Sequence, residues 1–102
     1  MVLEKLKPEI VWNIFEHLIA KTPRPSHHEE IIQSKIKSWL TEQSRIHDSD
    51  FTINEDSVGN LLIRKPATSG MESAPSLMFQ AHVDMVCETD RAEGFDFMNS
   101  GI

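Results

Sequence analysis

Ser76-Leu77-Met78-Phe79-Gln80-Ala81-His82-Val83-Asp84 is the stretch on which the fold turns. Its first six residues carry no charge and read as a short apolar strand buried on both faces, the kind found inside a parallel sheet. Two titratable side chains, His82 and Asp84, stand at its carboxyl end. Side chains two apart on an extended segment point the same way. Open α/β sheets bind their ligands at the carboxyl ends of their strands. A central strand with a polar pair at that end is therefore both a fold signal and a site signal.

The segments before it fill in the order of elements. Pro8 to Ala20, PEIVWNIFEHLIA, predicts a first helix, with Ile10, Val11, Ile14, Phe15, Leu18 and Ile19 on one apolar stripe. Pro8 suits a helix start, where its missing N–H is not needed. Thr22-Pro23-Arg24-Pro25 ends that helix, because proline pushes the residue before it out of helical geometry. Ser26 to Glu29 matches a capping box. A second helix should open there, bury Ile32, Ile36, Trp39 and Leu40, and end near Glu42 or Ser44.

Beyond that helix the period changes to two. Phe51 and Ile53 alternate with Thr52 and Asn54, which predicts a half-buried strand. Asp56-Ser57-Val58-Gly59-Asn60 reads as a turn, and Leu61 to Arg64 as a second strand. Residues 66–75 are a loop rich in Ser, Thr, Gly and Pro. Ser76 to Ala81 is the third strand. After Val86 the pattern is lost, with only Phe95, Phe97 and Met98 as apolar spots. Two helices followed by three strands is an α/β arrangement. A central strand with so few elements to cover it points to a sheet that continues outside this sequence.

Composition narrows the function classes. The 102 residues suit one small domain, residues 1–102. A charged fraction of 25% and a hydrophobic fraction of 39% describe a globular chain, not a disordered one. The net charge of −6 is scattered and there is no Lys/Arg cluster, so neither nucleic acid nor a membrane surface is expected as a partner. Cys87 is the single cysteine and cannot form an internal disulfide. With no apolar leader at the N-terminus, the expected location is the cytoplasm.

His82 and Asp84 together suit a metal ligand and its supporting carboxylate. A ligating histidine usually gives its other ring N–H to a carboxylate or carbonyl, which fixes its tautomer. His-x-Asp is nonetheless a common pattern, and a satisfied histidine at a strand end is the plainer reading. Zinc also needs three or four protein ligands. The adjacent His27 and His28 point about 100° apart on a helix and do not readily share an ion. Cys87 has no nucleophile signature around it.

Three stretches taken together carry more. Residues 23–30, PRPSHHEE, residues 56–72, DSVGNLLIRKPATSGME, and residues 78–86, MFQAHVDMV, resemble in order and spacing the N-terminus of the M20-type metallopeptidases. The resemblance is greatest to the aminoacyl-histidine, or Xaa-His, dipeptidases, and it runs through nearly the whole chain. It implies the N-terminal part of a zinc-peptidase-like catalytic domain that uses two Zn2+ ions in the full-length enzyme to hydrolyse dipeptides. It gives His82 the role of metal ligand and Asp84 that of the active-site acid supporting it. Ser26 and Glu29 remain helix-capping residues and Gly59 a turn residue.

Cys87 departs from the proline common in close relatives. The family's other ligands, its general base and its dimerising insert correspond to nothing in this sequence. A homodimer is thus an expectation for the full-length enzyme. This chain alone is expected to be catalytically silent. The alternative is a stand-alone, non-catalytic module that binds a protein partner.

Overall fold

The computed structural model describes Leu3 and residues 5–99. The order of elements is α1 (Glu9–Ile14), a π-helical segment (Phe15–Ala20), α2 (Glu30–Ile46), β1 (Thr52–Glu55) and β2 (Leu61–Arg64). The fold is a mixed α/β one, with two α-helices and the π-helical segment preceding two antiparallel strands. The chain divides into two compact units, one formed by Met1–Ile36 with Val83–Ile102 and one by Lys37–His82. No described helix is long and apolar enough to cross a membrane.

The first predicted helix is present but changes character midway. Pro8 sits at the N-cap with φ −72° and ψ 136°, so helical geometry begins at Glu9, an acid at the favourable end of the helix dipole. From Phe15 the hydrogen bonding shifts to the wider π pattern, which in proteins is usually a short local device. Trp12 and Phe15 meet edge to face, with ring centroids 6.2 Å apart. The expected apolar stripe is only partly covered. Ile10, Val11 and Phe15 are exposed, and burial is reached only at Ala20.

The start of α2 corrects the capping-box prediction. Helical geometry begins at Glu30, not Ser26, and continues to Ile46, past the expected end. Ser26 is turned away to another partner. The His28 N–H donates to the Pro25 carbonyl at 2.9 Å and His27 takes φ +69°, so residues 25–28 form a turn. Glu29 still reaches back, but it accepts the His27 N–H at 2.9 Å and not that of Ser26. Of the four residues expected to face the core, Ile32 is fully buried, while Ile36, Trp39 and Leu40 are half-buried. Among the described residues the buried side chains are Ala20, Thr22 and Ile32, all in the first unit.

The later end of α2 has a local cause. Asp48 adopts φ +47° and the Ser49 N–H donates to the Ser44 carbonyl at 3.0 Å. This is the six-to-one bond of a Schellman cap, with Asp48 at the left-handed position just past the helix. Short polar side chains tolerate that conformation better than others do.

The hairpin of the second unit follows the alternating pattern. Thr52 pairs with Arg64, Ile53 with Ile63, Asn54 with Leu62 and Glu55 with Leu61. Its turn is built around one carboxylate. Asp56 accepts the N–H groups of Val58 at 3.0 Å and Asn60 at 2.9 Å, and the Asn60 side-chain amide at 2.8 Å. Gly59 takes φ +91° there, which a side chain would resist. Lys37, at the helical end of the same unit, pairs with Glu55 of β1 at 2.5 Å.

The third strand is not formed. Residues 76–81 have no ladder partner among the described residues, and Leu77, Met78 and Phe79 are 85%, 83% and 91% exposed. A strand is a paired state. This segment has the composition for one, but neither β1 nor β2 adds to it, since the sheet is the β1–β2 pair alone.

Candidate functional site

The site is assembled on the end of the first helical segment. A helix end leaves carbonyls without intrahelical partners. Here Thr22 and Arg24 take them up. The buried Thr22 hydroxyl donates to the Leu18 carbonyl at 2.5 Å and accepts from Lys35 Nζ at 3.1 Å. The Arg24 guanidinium donates to the Ile19 carbonyl and, at 3.3 Å, to that of Thr22. A cation at this end also suits the negative pole of the helix. The outcome is a fixed exit for the chain at Arg24-Pro25-Ser26.

Residues 84 and 85 are held against that exit. The Met85 N–H donates to the Arg24 carbonyl at 2.8 Å, and Pro25 and Met85 form an isolated parallel bridge. The other arm of the Arg24 guanidinium lies 3.7 Å from the Met85 sulfur. Ser26 Oγ donates to Asp84 Oδ2 at 2.5 Å. That length is at the short end of hydroxyl–carboxylate bonds, and bonds to a charged group are each worth roughly 1.5–3 kcal/mol. Asp84 is half-buried, and one of its oxygens has a fixed direction.

His82 is exposed and closes the second unit, whereas Asp84 belongs to the first. The strand that was expected to aim both side chains at one site is not there to do so. His27 and His28 are exposed, and Cys87 is a half-buried free thiol. Among the described residues, no three His, Cys, Asp or Glu side chains gather closely enough to hold a metal ion. A structural or catalytic zinc takes three or four protein ligands. The donor set of this chain therefore does not by itself fit the two-zinc centre that the sequence resemblance implies.

The second unit has a feature that the motifs did not flag, an open cleft of about 590 Å³. Arg64 and Lys65 line it together with Asp50 and Glu72, so its walls are of mixed charge.

Ser26 is the site residue that sequence reasoning missed. Its spacing to Glu29 matched a cap, but its hydroxyl donates to Asp84 and the turn at residues 25–28 delays the helix. The signal that could have found it is the pair of prolines at 23 and 25. They keep the preceding residues extended and present an edge to which another extended segment can bridge.

Similarity to known proteins bears on the chain as a whole. The chain is 40% identical over 100 residues to the cytosol non-specific dipeptidase of Escherichia coli (strain K12). That match takes in 98% of this chain but 19% of that enzyme, so the chain spans about a fifth of its relative's length. The chain is thus similar to part of a dipeptidase. No protein-family model matches it, and no solved structure matches it.

Proposed function

We propose that the chain is the N-terminal part of a zinc-dependent cytoplasmic dipeptidase acting on Xaa-His and other dipeptides, and that it is inactive alone. The observation that carries this reading is the 40% identity extending over nearly the whole chain. The Ser26–Asp84 bond supports it locally, because it ties together two of the three stretches on which the resemblance rests. In this reading His82 is a metal ligand and Asp84 the acid that supports it, with Ser26 holding Asp84 in place. The remaining ligands and the general base come from polypeptide that this chain does not contain.

The test has two parts. The isolated chain, supplied with zinc and a His-containing dipeptide, is expected to give no hydrolysis above a buffer control. Turnover that His82→Ala abolishes would overturn the claim of inactivity. Reading the gene past residue 102 tests the rest. A continuation encoding the family's Gly-Ala-Asp-Asn-Gly stretch supports a peptidase part. A stable folded product with no such continuation favours the second reading, a non-catalytic module that binds a protein partner. The exposure of Leu77, Met78 and Phe79 keeps that second reading in play.

A further inference from the structure

We draw no further inference here: the strongest candidate, the mixed-charge cleft of the second unit lined by Asp50, Arg64, Lys65 and Glu72, carries nothing, because those four side chains are exposed and its remaining wall includes Ser76 and Leu77 of the segment without a ladder partner, for which nothing in the structure shows what covers it.

Discussion

Residues 52–64 and residues 76–81 belong to the same compact unit, and both read as strand material. Only the first became strands. The hairpin is the less apolar of the two, with Thr52, Asn54, Glu55 and Arg64 among its paired residues. The later segment is the more apolar and lies open. The difference is not propensity but proximity of a partner. Between β1 and β2 stand five residues whose turn is closed by Asp56 and Gly59, so pairing there costs little loop-closure entropy. Residues 76–81 follow β2 after eleven residues, among which the Gly70 N–H donates to Glu72 Oε1 at 3.1 Å. Nothing in that loop aims the segment at β2.

The sharpest way to break this comparison is to remove the turn. Gly59 stands at φ +91°, where a β-branched residue is strained by roughly 1–3 kcal/mol. Gly59→Val should destabilise the hairpin by about that amount and detach the pairing of Ile53 with Ile63. Amide exchange at Ile53 and Ile63 measures it. Protection left intact would show that side-chain pairing, and not the turn, holds the strands together.

A finer test uses pH. The Asn60 side-chain amide, with the N–H groups of Asn60, Val58 and Gly59, holds the Asp56 carboxyl below the usual aspartate value. The folded pKa is thus lower than the unfolded one of about 3.9. The stabilisation is fully present above that unfolded value and is lost as pH falls through the folded pKa. Hairpin protection should therefore weaken below about pH 4, and modestly, because the carboxylate is open to solvent. Asp56→Asn should abolish that acid-limb dependence, since an amide does not titrate. A variant that keeps the same pH profile would assign the effect to another acid.

These same contrasts explain what the sequence made legible. Features governed within a few residues were readable: the helix over Glu9 to Ala20, the alternation around Ile53, the turn at Gly59. Features that depend on a remote group were not. Ser26 carried a sound capping pattern, yet its hydroxyl bonds a carboxylate 58 positions away. The helix starts four residues later. α2 outruns its expected end because no local pattern marks Asp48 as its left-handed cap. Of the candidate site, Asp84 is half-buried and accepts a hydrogen bond from Ser26. His82 is exposed and lies in the other unit.

The smallest expected effect sits in the open segment itself. Phe79 is 91% exposed, so replacing it removes almost no burial from the folded chain. Surface changes away from special features usually stay within about 0.5 kcal/mol. Phe79→Ser, measured by urea unfolding at a dilution where the chain is monomeric, should leave the midpoint where it was. The same substitution in a paired strand of the hairpin would not be neutral, because it would discard a cross-strand contact. A clear loss of stability from Phe79→Ser in the monomer would mean that residues 76–81 pack against their own unit in solution. The contrast between a partnered and an unpartnered strand would then collapse. Neutrality would instead show that the segment's apolar character contributes nothing to the folding of this chain.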